Sequence, residues 1–394
     1  MPNNWAITSF EEIVELISGR DLETSSCNDI KEGIPYLIGA SNIVKRSLFI
    51  TRWTTKPIVI SQKNDILISC KGTIGEVIRN TIGDIHIARQ FMALRNNSIV
   101  DTNYIELYIR AILKRIKSDA RGVIPGISRE DILCREILLP PLNEQKRIVL
   151  EASKLISIIE KINVDKNELV KAIAAYKLTI LQLAITGKLV PQDLSDEPAI
   201  DLLRGINPNY KPCDNRHYEN KPFLIPDSWL WVMGKDLFLP MKNCKPSGDY
   251  FKYIDIDSID NQDCVIKCPK VLPVTAAPSR ATRYTQVGDI LFSMVRPYLK
   301  NIAIVTEGNC IASTGFYVCS PNEALFSKYC YYLLISPYVI NGLTQFMKGD
   351  NSPSINNAHI NEWLYPLPPL NEQKRIVQKI DEIFNYLDSI VAEL

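Results

Sequence analysis

Non-polar residues recur at alternating spacings of three and four along two stretches of the chain. The first row occupies residues 148–183 and is broken only by Lys166, and the second occupies residues 376–390. Sustained spacing of this kind is typical of a coiled-coil seam. The alternative is that each helix packs only on its own domain, but the stripe is narrow and regular, which favours the seam. The predicted seam positions are Ile148, Leu155, Ile159, Ile162, Leu169, Ile173, Ile376, Ile380, Ile383, Leu387 and Ile390.

Short runs rich in β-branched residues precede each of these helices. IPYLIGASNI, NDILISC and EVIRN are bounded by Gly, Asn and Asp, as strands commonly are. Residues 104–118 show helical spacing of non-polar positions, and SKYCYYLLIS is their counterpart later in the chain. The pattern predicts a mixed α/β (α+β) domain in front of each long helix.

The chain also repeats itself. The eleven residues LPPLNEQKRIV occupy positions 139–149 and recur unchanged at 367–377. PNNW matches PDSW, NDIL matches GDIL, and GDIHIARQF matches GNCIASTGF, in the same order and at offsets between 224 and 228. Such drift is expected of a duplicated unit whose loops have changed length. Trp5 and Trp229 open the two repeats beside a proline, which favours a role as domain anchors.

The repeated junction is suited to connecting a strand to a helix. Consecutive prolines end extended structure, and Asn143 and Asn371 then stand where N-caps are expected, each followed by a glutamate that suits the helix dipole. Gly187 is a good C-terminal stop, so a first helix over residues 143–186 is predicted, spanning roughly 60–65 Å at 1.5 Å per residue. Two domains separated by such a helix favour a protein that bridges or measures a partner.

Composition narrows the class of protein. A chain of 394 residues with 46% hydrophobic and 23% charged residues is predicted to form two or more globular domains. Ten scattered cysteines and three isolated histidines predict reduced thiols and no metal site. Without a long apolar run or signal-peptide features, a cytoplasmic protein is expected. Because the net charge is +1, binding to DNA would need positive charge gathered on one face or supplied by a partner.

The junction, given twice and leading into heptads, resembles the specificity subunit of type I restriction–modification enzymes. TGKLVPQDLSDEPAIDLL, residues 186–203, is similar to the segment that follows the central helix in that family. The resemblance covers essentially the whole chain. The boundaries that it implies are 1–142 for the first target-recognition domain, 143–190 for the central conserved helix, 191–225 for a linker, 226–370 for the second target-recognition domain and 371–394 for the distal conserved helix.

The resemblance implies a function as well as a layout. Each recognition domain would read one half of a bipartite, asymmetric double-stranded DNA target, and the two helices would form an antiparallel coiled coil that fixes the spacer. The helices would also dock two modification subunits, which methylate adenine with S-adenosylmethionine, and ATP-hydrolysing restriction subunits are further expected partners. The chain itself would hold no cofactor and catalyse nothing, in the cytoplasm of a bacterium or archaeon.

The sequence motifs agree with a non-catalytic subunit. The nearest match to the tetrad of adenine methyltransferases is NPNY at residues 207–210, which has Asn209 in place of the second proline and is interpreted as a turn. There is no GxxxxGK[ST] motif for ATP, and Gly72 and Gly75 belong to a predicted strand-to-strand loop. No GxSxG or HExxH motif is present.

Candidate DNA contacts are the polar residues of the predicted loops, because Arg, Lys, Asn, Gln and Thr can contact base edges and Ser or Lys can contact phosphates. In the first domain they are Lys71, Thr73, Arg89, Gln90, Arg121, Ser128 and Arg129. In the second they are Arg296, Tyr298, Lys300, Asn301, Thr314, Lys348, Asn351 and Ser354. Weaker basic candidates are Arg20, Lys45, Arg46 and Arg52. The two sets occupy equivalent positions with different chemistry, as two different half-sites would require.

The second heptad row is shorter than the first, since Leu394 matches Lys166 of the first row. Much of the first apolar stripe is therefore predicted to lack a partner within the pair. Three explanations remain open: a shortened chain, pairing with another polypeptide, or cover by the domain surfaces. Self-association or dependence on modification subunits is the resulting prediction.

Two rival functions are weighed against DNA specificity. A coiled-coil scaffold that bridges two proteins without DNA is favoured slightly by the near-neutral charge. An enzyme such as a fused restriction–methylation protein is disfavoured by the missing catalytic motifs. The repeat, the long helix and the family-like junctions agree on DNA specificity.

Overall fold

The computed structural model describes residues 2–44, 46–97, 100–119, 126–212 and 222–394, with the backbone alone for residues 114–119. The chain divides into unit 1, Met1–Asn163, and unit 2, Val164–Leu394. Among the helices within the described residues, we find none whose length and hydrophobicity would let it span a lipid bilayer.

Unit 1 is a mixed domain that leads into a long helix. Its elements are β1 (Ala6–Ser9), α1 (Phe10–Ile13), β2 (Val14–Ser18), β3 (Ile34–Leu37), β4 (Ile43–Val44), β5 (Ser47–Leu48), β6 (Arg52–Thr54), β7 (Ile60–Ser61), β8 (Ile66–Ser69), β9 (Val77–Arg79), β10 (Ile85–Ile87), β11 (Phe91–Asn96), α2 (Thr102–Asp119), α3 (Glu130–Leu133), β12 (Glu136–Leu139) and the start of α4 (Leu142–Ile185). The predicted helix over residues 104–118 and the strands in IPYLIGASNI, NDILISC and EVIRN are confirmed as α2, β3, β8 and β9.

Unit 2 continues α4 and repeats this architecture. Its further elements are α5 (Ala199–Ile206), β13 (Leu230–Met233), α6 (Gly234–Leu237), β14 (Tyr250–Ile254), β15 (Ile259–Asp260), β16 (Val265–Ile266), β17 (Lys270–Pro273), β18 (Ala281–Tyr284), β19 (Ile290–Ser293), β20 (Ile302–Ile304), β21 (Cys310–Ser313), β22 (Phe316–Cys319), α7 (Ser327–Leu334), α8 (Pro337–Thr344), α9 (Asn357–Glu362), β23 (Leu364–Leu367) and α10 (Leu370–Glu393). NPNY forms the predicted turn, in which Tyr210 N donates to Asn207 O at 2.8 Å.

The sheets of the two units correspond, except that β2 of unit 1 has no counterpart strand in the three-stranded sheet described for unit 2. Unit 1 contains the pair β1-β12 and the sheets β6-β3-β10-β7 and β2-β11-β8-β9; unit 2 contains β13-β23, β17-β14-β21-β18 and β20-β19-β22. In each unit one parallel pair, β3 with β10 and β14 with β21, lies inside an otherwise antiparallel sheet. The tandem repeat of one mixed fold, predicted from the eleven-residue match, is therefore confirmed.

The junction itself differs from the prediction at its N-cap. Helix α10 begins at Leu370 with Pro369 as N-cap, and Glu144 and Gln145 both donate their backbone N–H to Pro141 O. The expected caps, Asn143 and Asn371, lie inside the first turn. Proline replaces them because its fixed φ suits the start of a helix, where a missing N–H costs nothing.

A glutamine fixes the junction to each domain. Gln145 is buried; its side chain donates to Pro140 O at 2.8 Å and accepts from Asp101 N at 2.8 Å. Gln373 does the same in unit 2, donating to Pro368 O at 2.9 Å and accepting from Phe326 N at 2.7 Å. The identical glutamine of the two motifs therefore sets where each helix leaves its domain.

In unit 2, α10 lies antiparallel to the second half of α4. Lys177 of α4 forms an ion pair with Asp388 near the end of α10. At the opposite end, Gly187 packs beside Trp229, whose Nε1 donates to Glu372 Oε2 in the first turn of α10 at 2.8 Å. The predicted antiparallel arrangement of the two helices is confirmed for this half of α4.

The seam positions divide into packed and uncovered ones. Four are buried in unit 2: Ile173, Ile376, Ile380 and Leu387. Ile383 and Ile390 are half-buried, and Ile148 packs on the core of unit 1. Leu155, Ile159, Ile162 and Leu169 are 42–60 % exposed, so among the described residues they form no packed seam.

Candidate nucleic-acid interface

Three loops of unit 1 meet at one end of the sheet β2-β11-β8-β9. They are residues 70–76, 88–90 and 126–129. Cys70 N donates to Gln90 O at 2.7 Å, and Ile127 N donates to Cys70 O at 3.0 Å. Lys71 and Gly126 add an isolated antiparallel bridge. Backbone groups therefore hold the three loops together, and the Cys70 thiol adds contacts to Arg89 O and Gln90 O.

Unit 2 joins its equivalent loops with the same bonds. They are residues 294–301, 314–315 and 348–356. Met294 N donates to Gly315 O at 2.9 Å, and Ile355 N donates to Met294 O at 2.9 Å. Val295 and Ser354 form the matching bridge. We call this shared arrangement the loop frame, meaning these three loops in each unit.

Exposed side chains of unit 1 project from its loop frame. Lys71 and Thr73 are exposed. The Gln90 side chain lies against Gly39, where an added Cβ would be 2.5 Å from Gln90 Oε1. Ser128 Oγ accepts from Asp131 N at 3.2 Å, and Ser128 N donates to Asp131 Oδ2 at 2.7 Å, so this residue is tied to the first turn of the short helix α3. Lys71, Thr73 and Gln90, three of the candidate DNA contacts, therefore lie near one another on one surface of unit 1.

The arginines of unit 1 have more varied surroundings. Arg89 is exposed and pairs with Asp21 at 2.8 Å. Arg129 donates to Leu16 O at 3.0 Å and to Ser18 Oγ at 2.9 Å, so its guanidinium also ties its loop to β2.

The weaker basic candidates of unit 1 have no common location in the loop frame. Arg20 and Arg52 are exposed, whereas Arg46 forms an ion pair with Glu160 of α4. Arg121 and Lys45 lie outside the described residues.

In unit 2 the loop frame borders an open cleft of about 760 Å³. Arg296 and Asn301 line this cleft, together with Arg280, Asp257 and Asn261. Asn301 is buried, whereas the other four are exposed at the cleft mouth. Guanidinium, amide and carboxylate groups on one concave surface can match the donors and acceptors on base edges.

Two residues of the loop 294–301 have a left-handed backbone conformation, and one of them, Arg296, lines the cleft. Arg296 and Lys300 have φ values of 47° and 57° and flank the 3-10 turn Pro297–Leu299. Non-glycine residues in this left-handed region are uncommon and cluster at functional sites. Arg296 is held there by its N–H donating to Pro353 O at 2.9 Å and its Nη2 donating to Asn351 O at 2.8 Å.

The remaining candidates of unit 2 lie in the loop frame but are not among the residues that line the cleft. Lys348, Asn351 and Tyr298 are exposed, and Ser354 pairs with Lys348 through two backbone hydrogen bonds of 3.0 Å. Thr314 N donates to Arg280 O at 2.9 Å, at the edge of the cleft.

Lys300 is the candidate of unit 2 that the structure places elsewhere. It lines a separate groove with Lys177 and Tyr332, not the cleft of Arg296.

Sequence reasoning missed three residues of the cleft: Arg280, Asp257 and Asn261. None stands next to a repeated anchor, so the sequence offered no signal for them. Neighbouring Asp255 also borders the cleft. Its burial raises the pKa of its carboxyl, but hydrogen bonds from Lys270 and Ser258 outweigh this and lower it, so the cleft keeps a charged acceptor.

Metal chemistry has no support in the described part of the chain. Within it, no group of three or more His, Cys, Asp or Glu residues could hold a metal ion. The arrangement of polar loops on a rigid frame is suited to recognition.

Comparison with known proteins identifies relatives of the whole layout. A family model described as Type I restriction modification DNA specificity domain matches residues 2–172 and 239–394. The EcoDI specificity subunit of Escherichia coli is 23% identical over 407 residues, which covers 100% of this chain and 84% of the relative. The MjaVIII specificity subunit of Methanocaldococcus jannaschii is 23% identical over 420 residues, covering 98% of this chain and 88% of the relative.

A solved structure gives the same fold. A chain from a study of complex assembly and conformational transition of the type I R-M system superposes with a TM-score of 0.70 at 15% identity, covering 100% of this chain and 93% of that one. At this identity the likeness concerns the fold alone.

Proposed function

Because the chain belongs to the type I restriction modification DNA specificity family, we propose that it supplies sequence specificity to a type I restriction–modification complex. It recognises DNA and catalyses no reaction itself. Each unit reads one half of a bipartite, asymmetric target through its loop frame. The family match favours this function over a scaffold that binds no DNA.

The observation that carries the proposal is one loop frame with two sets of side chains. The two backbone hydrogen bonds of Cys70, of 2.7 and 3.0 Å, recur at Met294 with 2.9 Å each, and the bridge made by Lys71 recurs at Val295. On that frame unit 1 presents Lys71 and Gln90, whereas unit 2 presents Val295 and Gly315 at the matching positions and adds Arg296. Different donors on the same frame would read different base pairs.

Partners and cofactors follow from the same proposal. The helices α4 and α10 set the distance between half-sites and dock two modification subunits, and restriction subunits join the complex. S-adenosylmethionine and ATP belong to those partners, in the cytoplasm of a bacterium or archaeon. The exposed apolar positions of α4, from Leu155 to Leu169, support a need for a further partner or for self-association.

The test is made on the assembled methyltransferase. The chain is co-expressed with the modification subunits encoded beside it, and methylated adenines are mapped across the host genome by single-molecule sequencing. We expect two short defined sequences separated by a fixed undefined spacer. A well-folded complex that methylates one continuous site, or methylates without sequence preference, would contradict the proposal.

The scaffold alternative is tested by salt. A DNA reader that neutralises several phosphates loses affinity steeply between about 50 and 200 mM salt. A scaffold would show weak DNA binding that no choice of target sequence improves. Omission of S-adenosylmethionine from the isolated chain should leave its binding to the mapped duplex unchanged.

A further inference from the structure

The same eleven residues occupy two different environments. In unit 2, Glu372 is 1 % exposed and Ile376 is fully buried. In unit 1, the identical residues Glu144 and Ile148 are only half-buried. Since the sequences match and the helices leave their domains through the same glutamine, the part of the chain that covers the motif in unit 2 has no equivalent among the residues described around the motif in unit 1.

The cover in unit 2 is the end of α4 and the chain that follows it, residues 180–203, which we call the cover segment. Gln192 Nε2 donates to Glu372 Oε1. Asp196 pairs with Arg375 through two contacts of 3.2 and 2.6 Å, and the Asp196 carboxylate is 5 % exposed. An arginine that holds a buried carboxylate with two hydrogen bonds recognises both charge and geometry.

The cover segment also brings apolar surface. Ile180, Ala184 and Leu203 are buried in the same core as Ile376 and Ile380. Between them, Gly187 turns the chain with φ of 71° beside Pro226 and Trp229. The segment therefore combines an apolar helix end, a glycine turn, an amide donor and a carboxylate.

The matching residues of unit 1 have no such partners in the described chain. Trp5 Nε1, equivalent to the Trp229 Nε1 that bonds Glu372, is buried without a hydrogen-bond partner. Glu144 accepts from Asn4 at 3.3 Å, and Arg147, equivalent to Arg375, is exposed with no ion pair among the described residues.

We propose that this uncovered surface of unit 1, the junction face formed by Glu144, Arg147 and Ile148, docks a segment of a partner polypeptide with the chemistry of the cover segment. An apolar helix end covers Ile148, an amide donates to Glu144, and a carboxylate pairs with Arg147. The identical receptor residues and the unmatched charge of Arg147 argue for this ligand.

A second copy of the chain is a weaker occupant. Its own cover segment already lies on its own unit 2, with the Asp196 carboxylate buried there. Exchanging that segment would break one set of contacts to make an equivalent set. A separate polypeptide pays no such cost and adds new buried area.

The test uses the full chain and a labelled synthetic peptide with the sequence of residues 180–206. Fluorescence anisotropy should show saturable binding with one peptide per chain. In unit 2 the chain's own cover segment occupies the motif at a high effective concentration and excludes the peptide. Binding of the peptide therefore reports on unit 1. Arg147→Ala should weaken binding about tenfold or more, because a charge-assisted pair is lost. Lys146→Ala, which removes the same charge from the neighbouring exposed residue, should leave binding unchanged.

Charge reversal makes the test specific. Arg147→Asp should abolish binding of the native peptide and recover it with a peptide carrying Asp196→Arg. Arg147 and Lys146, the two positions changed in the chain, are both exposed, so circular dichroism melting curves of the variants should match that of the parent chain. No saturable binding, or equal binding by Arg147→Ala, would overturn the proposal. Concentration-dependent dimerisation that Arg147→Ala abolishes, without peptide binding, would assign the face to a second copy and overturn it too.

Discussion

Replacing Glu372 by alanine should destabilise unit 2, whereas the same change at Glu144 should do little. Glu372 is almost fully buried and accepts from Trp229 Nε1 at 2.8 Å and from Gln192 Nε2. Its removal leaves the buried Trp229 Nε1 without an acceptor, at about 1–3 kcal/mol, whereas the amide of the exposed Gln192 keeps Gly187 O and water as partners. Relief of the desolvated carboxylate offsets part of that loss. We expect a net destabilisation of about 1–2 kcal/mol.

Glu144 supplies the matched control within the same chain. It has the same neighbours in sequence but is half-buried and accepts one hydrogen bond of 3.3 Å, from Asn4. A substitution with so few contacts should change stability by about 0.5 kcal/mol or less.

Hydrogen exchange read by mass spectrometry suits this comparison, because peptides from α10 report on unit 2 without assuming that the whole chain unfolds in one step. A loss of about 1–2 kcal/mol should speed exchange in the stable part of α10 roughly 5- to 30-fold in Glu372→Ala. Peptides from β8 and β11 should exchange as in the parent chain. Equal effects of the two variants, or no effect of Glu372→Ala, would refute the environment described for Glu372.

The carboxyl of Glu372 should also make the stability of unit 2 depend on pH. Burial raises the pKa of Glu372, although hydrogen bonds from Trp229 and Gln192 lower it in part. A carboxyl with a raised folded-state pKa contributes stability that is fully present below its unfolded pKa, about 4.5, and is lost as pH rises through the folded value. Glu372→Gln stays neutral, so its stability relative to the parent chain should improve as pH rises from about 4.5 to 7. A difference independent of pH would contradict the raised pKa.

Three further changes probe packing, backbone and recognition. Ile376→Ala, at a fully buried position, should lower the free energy of unfolding measured with urea by about 2–5 kcal/mol. Ile148→Ala, at a half-buried position, should lower it by about 1–2 kcal/mol. Equal losses in the two variants would count against the uncovered junction face. Gly187→Ala should lower the free energy of unfolding by about 1–3 kcal/mol, because φ is 71° and the new Cβ would lie 2.4 Å from Pro226 Cγ. Its control is Gly205→Ala, which lies in a helix with open space around it and should leave that free energy unchanged or raise it by up to about 1 kcal/mol in the same urea titrations. Arg296→Ala should weaken binding of the assembled enzyme to its mapped duplex by about 1–3 kcal/mol and relax one base position, which anisotropy with single-base variants of that duplex would detect.

Much of the fold could be predicted because it follows from periodicity and repetition. Helix α4 was predicted over residues 143–186 and extends over Leu142–Ile185. The strand pairs of the two units correspond wherever the sequence repeats. The prediction that Asn143 and Asn371 are N-caps was wrong. It considered the preference of asparagine for that position but not the preference of the preceding prolines for the start of a helix. It also missed Gln145, whose role depends on a backbone N–H 44 residues away along the chain.

The candidate recognition residues were predictable only as loops. Lys71 and Gln90 lie together because two strands of one sheet end side by side, and the repeated anchors located those strand ends. Arg280 joins the cleft through a backbone bond to Thr314, which no periodicity indicates. Lys300 faces another groove because its φ of 57° turns the chain after the 3-10 helix. Loop dihedrals of this kind are set by tertiary contacts that a sequence pattern does not encode.

The division of labour between backbone and side chains explains how one fold can hold two specificities. In both units the loop frame is joined through main-chain groups of residues such as Cys70 and Met294, which differ in side chain but form the same bonds. Unit 2 can therefore have Val295 where unit 1 has Lys71 without losing any of the backbone contacts that join the loop frame. The junction works in the opposite way, because the side chains of Gln145 and Gln373 hold it and both are buried. Loops can diverge between the units while the junction cannot, since a changed glutamine would leave buried backbone groups unsatisfied and shift the direction of the helix.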